Sequence, residues 1–138
     1  VNAGDGDPVA KVREIADGGG VDFAYEAVGI PICIEQAVKM LSYAGTATHI
    51  GLPPDNASVN LDLSDDDMGV YWNKACLRVC HAGDTLPSYD FPLLAQLYLQ
   101  KKLDLDSMVT SVITLNDVED AFHEMETGNV IRSVIHLD

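Results

Sequence analysis

Cys76, Cys80 and His81 are the ligand types of a zinc site. They fall within Ala75 to His81, which reads as a strand ending in Ala82-Gly83, and that placement argues against a shared ion. Residues four apart on a strand are separated by roughly 13 Å along its axis, and His81 points to the face opposite Cys80. One tetrahedral ion cannot take all three, so the thiols are read as buried and structural. Asp65, Asp66 and Asp67 suit a hard cation, but the run lacks the glycine and the distal Glu of a calcium loop. Ser64 before it reads instead as the N-cap of a helix with an acidic first turn. Glu26 is out of place in an apolar run and must be hydrogen-bonded or sit at a solvated strand end. His49, inside another such run, reads as a buried neutral imidazole bonded to a neighbour. His123, on the polar side of its helix, and His136, near the end of the last strand, are given no role.

The stretch most suggestive of ligand binding is Tyr43 to Pro54, YAGTATHIGLPP, which combines a turn, a strand and an abrupt stop. Gly45 supplies a permissive backbone after a helical run, Thr46 to Leu52 is β-branched and apolar, and Pro53-Pro54 forbids further ladder bonds, so the strand ends at Gly51-Leu52. In open α/β sheets ligands bind at the carboxyl ends of strands, and a glycine there lets a flat group approach the main chain. The alternative is a plain buried strand leaving through a proline turn.

These residues need elements to hold them. Asp7-Pro8 is a helix start, with Val9, Val12, Ile15 and Ala16 on one face and Gly18-Gly19-Gly20 as the stop. Val21 to Val28 reads as a strand closing on Gly29, and Cys33 to Leu41 as a helix with Ile34, Ala37, Val38 and Leu41 inward. Val59, Leu61 and Leu63 then alternate with polar residues. Past Gly83, Asp90-Phe91-Pro92 opens a helix with Leu94, Leu97 and Tyr98 on one side and Lys101-Lys102 at its end. Val109 to Leu115 reads as a strand. Asn116 and Glu119 resemble a capping box for a helix carrying Val118, Ala121, Phe122 and Met125 and stopping at Gly128. Val130 to Leu137 reads as a closing strand with Arg132 on its other face. Alternating β and α with buried-type strands predicts a parallel sheet with crossover helices.

The chain of 138 residues is 47% hydrophobic and 22% charged, ordinary for a globular protein, and no apolar run approaches the length that crosses a bilayer. A net charge of −14 with no basic stripe excludes phosphate-backbone binding, so neither nucleic acid nor membrane is an expected partner. The charge reads as a solubility device, at some cost in self-repulsion. Three cysteines cannot all pair internally, which fits a reducing cytoplasm. The start, Val1-Asn2-Ala3-Gly4-Asp5, has no initiator Met, basic n-region or apolar h-region and reads as the interior of a longer chain.

With these elements in order, the sequence resembles the C-terminal part of the medium-chain, zinc-dependent alcohol dehydrogenase family. The likeness runs nearly end to end, through VNAGDGDPVAKVREI, GVDFAYEAVG, IEQAVKML, GTATHIGLPP, LPSYDFPLLAQLYLQKKLDLDSMVT and GNVIRSVIHLD. It implies a nicotinamide dinucleotide, NAD or NADP, on a doubly wound sheet, and alcohol–aldehyde interconversion at a zinc held in a separate domain. Carried over, Val28-Gly29 would end one strand against the cofactor, Ile50-Gly51-Leu52 would end the next beside the nicotinamide, and Cys80 and Ala82 would flank it from the one after. The resemblance gives the carboxamide to the carbonyls of Ile50 and Cys80 and the N–H of Ala82, and the pyrophosphate to Arg132. Departures accompany it. Val79-Cys80-His81-Ala82-Gly83 stands where many relatives read Gly-Ser-Tyr-x-Gly, and there is no G-x-G-x-x-G after a strand, no acidic residue placed for a ribose 2′-OH and no zinc-ligand set. In the family those lie upstream of Val1.

The reading is therefore an α/β chain: a partial Rossmann-like parallel sheet with crossover helices, then a C-terminal helix and strand segment. Residues 1–84 are the second half of a dinucleotide domain, and 85–138 a segment that would pack on a catalytic domain not present here. The parent would be a homodimeric oxidoreductase acting on a small alcohol or aldehyde, with zinc ligands outside this chain and no catalytic side chain within it, so that the chain alone is inactive. A zinc-free quinone or enoyl reductase of the same superfamily, or a non-catalytic dinucleotide-binding or interaction module, are the alternatives.

Overall fold

The computed structural model describes residues 1–64 and 69–137. The chain divides into two compact units, Val1–Asp84 and Thr85–Asp138. The aspartate run at positions 65–67 lies outside the described residues, and so does the helix expected there.

In the first unit, α1 (Pro8–Ile15) begins as the sequence dictates: the Asp7 carboxylate accepts from the Val9 N–H at 2.9 Å, and Pro8 occupies the first turn. Strand β1 (Val21–Glu26), helix α2 (Pro31–Lys39), strand β2 (Leu41–His49) and strand β3 (Cys76–Val79) follow. The sheet is parallel, in the order β1-β2-β3. Its core is the inward face of α2 against β2, with Ala37, Val38, Leu41 and Ala47 buried together and Val21, Ala24, Leu61, Val70 and Ala75 packed on them. Arg13 ties α1 to the junction between α2 and β2, donating to the carbonyls of Leu41 (3.1 Å) and Gly18 (3.1 Å).

Two boundaries differ from expectation for one reason. Leu41 has the spacing of a helix-face residue, yet it opens β2, and Tyr43 to Gly45, expected as a turn, lies inside that strand. The register runs from Val21 opposite Leu41 to Phe23 opposite Thr46, so five steps of β2 face two of β1. That is a bulge, with Ala44 at φ 59° and its N–H given to the Asn73 carbonyl at 2.6 Å. A bulge and a turn draw on the same residues. The alternating Ser58 to Leu63 segment forms no ladder; Asn60 donates to the Glu35 carboxylate, and Val70 and Tyr71 donate to the Asp62 and Leu63 carbonyls.

The second unit holds α3 (Pro87–Leu99), β4 (Ser111–Ile113), α4 (Val118–Glu126) and β5 (Ser133–Ile135), with β4 and β5 parallel. Helix α3 starts at Pro87 rather than Asp90. The Asp90 carboxylate reaches back to the Leu86 N–H at 2.7 Å, so Asp90 caps from within and Pro92 lies inside the helix. The box before α4 is Thr114 with Asp117, not Asn116 with Glu119: Asp117 accepts from the Thr114 N–H and hydroxyl at 2.9 and 2.7 Å. The two strand thiols expected to be buried are not: Cys76 is exposed and Cys80 half-buried, and both are free, as is the half-buried Cys33. Among the described residues no helix is long and apolar enough to cross a membrane.

Candidate functional site

Strands β1 and β2 end together, with Glu26 opposite His49 in the register. Their side chains meet. Glu26 and His49 are the buried polar residues of the core, at 4% and 8% exposure, and His49 Nδ1 lies 2.6 Å from Glu26 Oε2. The other carboxylate oxygen, Oε1, accepts from the Val28 N–H at 2.7 Å and the Gly29 N–H at 2.8 Å. Burial pushes the Glu26 carboxyl up, but the Gly29 N–H, the His49 ring and the Val28 N–H outweigh it and hold the group below its ordinary value. An ionised carboxylate only accepts, so Nδ1 of His49 carries the proton it shares.

The main chain of the same residues continues the network. The Glu26 carbonyl accepts from the N–H groups of Ile50 (2.7 Å) and Gly51 (3.2 Å), and the His49 carbonyl accepts from Cys80 N–H at 2.9 Å. Glu26 and His49 therefore connect the exits of all three strands. Where those exits cross, the backbone leaves no room for side chains. A Cβ on Gly51 would enter the Val28-Gly29 peptide, and one on Gly29, at φ +88°, would enter the Leu52 carbonyl. Around this crossing Val28, Ile50 and Leu52 are exposed, Leu52 at 88%.

The structure thus brings Val28, Gly29, Ile50, Gly51, Leu52 and Cys80 to the carboxyl end of one sheet. All six lie just past the strands, which stop at Glu26, His49 and Val79; Gly29 was expected there, and the other five were expected inside the strands. Ala82 follows in a turn where Ala82, Gly83 and Asp84 all have positive φ, at 49°, 75° and 49°. Arg132 belongs to the second unit; its side chain is exposed and its carbonyl accepts from the Thr110 and Ser111 N–H groups. A concavity of about 630 Å³ lies elsewhere, between the first residues and α1, and one of about 350 Å³ lies along β1 and α2 and reaches Glu26 and Val28. The first holds none of the network, and the strand exits are the candidate site. Among the described residues no group of three or more His, Cys, Asp or Glu could hold a metal ion.

Sequence reasoning singled out Glu26 and His49 separately and did not pair them. The signal was available: both are the last polar residue of consecutive parallel strands, each followed closely by a glycine, so equal registers would place them side by side.

Residues 1–100 match the family described as zinc-binding dehydrogenase. A curated relative, alcohol dehydrogenase-like 2 of Arabidopsis thaliana, is 28% identical over 127 residues, covering 92% of this chain and 32% of that protein. The chain spans about a third of the length of the curated relatives it matches. The crystal structure of benzyl alcohol dehydrogenase from Acinetobacter calcoaceticus superposes with a TM-score of 0.88 at 27% identity, covering 99% of this chain and 36% of that one. An alcohol dehydrogenase zinc-binding domain protein from Burkholderia ambifaria gives 0.87 at 28%, over 100% of this chain and 36% of that one.

Proposed function

The chain belongs to the zinc-binding dehydrogenase family, and from that premise we propose that it is the cofactor-facing, C-terminal part of an alcohol dehydrogenase that passes a hydride between a small alcohol or aldehyde and NAD or NADP. The observation that supports this reading is the meeting of three parallel strand exits on Glu26 and His49, with Gly29 against Gly51 and exposed Val28, Ile50 and Leu52 around them. The carboxyl ends of parallel strands are where folds of this kind take their ligands. Main-chain groups of residues 28–29, 50–52, 80 and 82 would hold the nicotinamide end, and the exposed Arg132 is assigned to phosphate on its charge and planar fork alone.

When bound, the dinucleotide supplies the hydride chemistry. The part of this chain is to bind and orient it and to exclude water from one face. Zinc, in the full enzyme, would take its ligands from outside this chain. Residues 1–84 are assigned to dinucleotide contact and 85–138, apart from Arg132, to packing on a catalytic domain.

The test is calorimetric titration of the 138-residue chain with NAD and with NADP, alongside an alcohol oxidation assay with added zinc. The expected result is saturable binding weaker than about micromolar and no turnover, since the contacts assigned here are main-chain groups at the nicotinamide end and one arginine. Sub-micromolar binding, or turnover, would overturn the assignment to one part of a larger site.

A further inference from the structure

We infer that Glu26 is a positioning residue for the dinucleotide, setting by the reach of its side chain the spacing between the Val28-Gly29 and Ile50-Leu52 main chains that the ligand meets. The inference rests on the strand exits being the cofactor site. Five groups converge on this one residue: the N–H groups of Val28 and Gly29 and the His49 ring on its carboxylate, and the N–H groups of Ile50 and Gly51 on its carbonyl. Its hydrogen bonds thus reach both segments. The side chain is buried, and among the described residues every buried side-chain nitrogen or oxygen has a partner, so a change of length cannot be absorbed by solvent.

The argument separates length from charge. A carboxylate one methylene shorter keeps the charge but cannot reach the Val28-Gly29 turn and the His49 ring at once. An amide of the same length keeps an oxygen for both N–H groups, and its NH₂ keeps the His49 contact once the ring carries its proton on Nε2, so reach is retained and the charge is lost. Geometry therefore predicts that Glu26→Gln holds the site and Glu26→Asp loses it, whereas a charge effect predicts the reverse. His49 offers a second pair, because an Asn amide can donate from near the position of Nδ1 and an Ala cannot.

The experiment uses the full chain labelled with ¹⁵N and titrated with NAD and with NADP, following the amide signals of Val28, Gly29, Ile50, Gly51 and Leu52. Wild type is expected to show saturable shifts in these amides. Glu26→Gln and His49→Asn should bind within about threefold of wild type, and Glu26→Asp and His49→Ala at least about tenfold more weakly. Circular dichroism and the remaining amide signals report whether each variant is folded, and if Glu26→Asp does not fold the His49 pair decides. Absence of shifts in wild type would overturn the cofactor assignment and this inference with it. Shifts in wild type with Glu26→Asp binding equally well, or better than Glu26→Gln, would overturn the positioning role alone.

Discussion

Glu26 carries the clearest chemistry in the chain, and its lowered pKa makes that chemistry a function of pH. Unfolded, the group titrates near its ordinary 4.5; folded, it titrates lower, because the hydrogen bonds from Gly29, His49 and Val28 outweigh the burial. A depressed folded value contributes stability that is present above 4.5 and is lost as pH falls through the lowered value. Urea midpoints measured between about pH 3 and pH 7 should therefore drop on the acid side in wild type and stay flatter in Glu26→Gln. Parallel profiles for the two proteins would mean that Glu26 is not the group responsible. A steric prediction sits beside it. Gly51→Ala must push the Val28-Gly29 peptide away and should cost about 1–3 kcal/mol, whereas Gly19→Ala, whose Cβ would make only an ordinary contact with the Ala16 carbonyl, should change stability by less than about 1 kcal/mol. Equal effects in denaturant titrations would remove the crossing as the reason for glycine. At this scale the need of Glu26 for hydrogen bonds was legible, because a carboxylate in an apolar run has few ways to exist. Its partner was not, since pairing Glu26 with His49 requires the register of two strands.

The elements themselves were legible wherever a boundary has its own chemistry. Asp7-Pro8 starts a helix by a local rule, and α2 buries the Ile34, Ala37 and Val38 face that its spacing marks. Boundaries failed where two local rules draw on the same residues: the bulge at Ala44 passed for a turn, and the Thr114 with Asp117 box was displaced by the similar spacing of Asn116 and Glu119. Strand β3 carries the next prediction. Among the described residues it pairs only with β2, all four of its residues are exposed, and it carries Leu77 and Val79 with Arg78 as its one charge. An open apolar edge is a template for another strand. Light scattering at micromolar concentration should give a dimer or larger mass, and Val79→Lys, which charges the edge without touching the core, should shift it toward monomer. A wild-type monomer would mean that this edge is not used for pairing.

At the scale of the whole molecule the dominant fact is charge. Twenty-two acidic residues against eight basic ones leave −14. Among the described residues the Lys pairs are Lys11 with Glu14 and Lys39 with Asp62, both with exposed carboxylates, and such pairs contribute little. The folded chain gathers this charge into a smaller volume than the unfolded chain does, so repulsion opposes folding. The opposing apolar burial is modest, particularly in the second unit, where Ala121 is the buried hydrophobic residue and Phe122 on the same helix is 63% exposed. Added salt shortens the range of repulsion, from a Debye length of about 10 Å at 0.1 M to about 3 Å at 1 M, while it has few attractive pairs to weaken. The melting temperature should therefore rise as NaCl is increased from about 0.05 M to about 1 M, and the rise should level off once the screening length falls below the spacing of neighbouring carboxylates. Sodium sulfate tells the two causes of such a rise apart: salting-out of apolar surface keeps increasing with concentration, whereas screening saturates. A melting temperature that stays flat or falls across the NaCl series would show that self-repulsion is not what limits the stability of this chain.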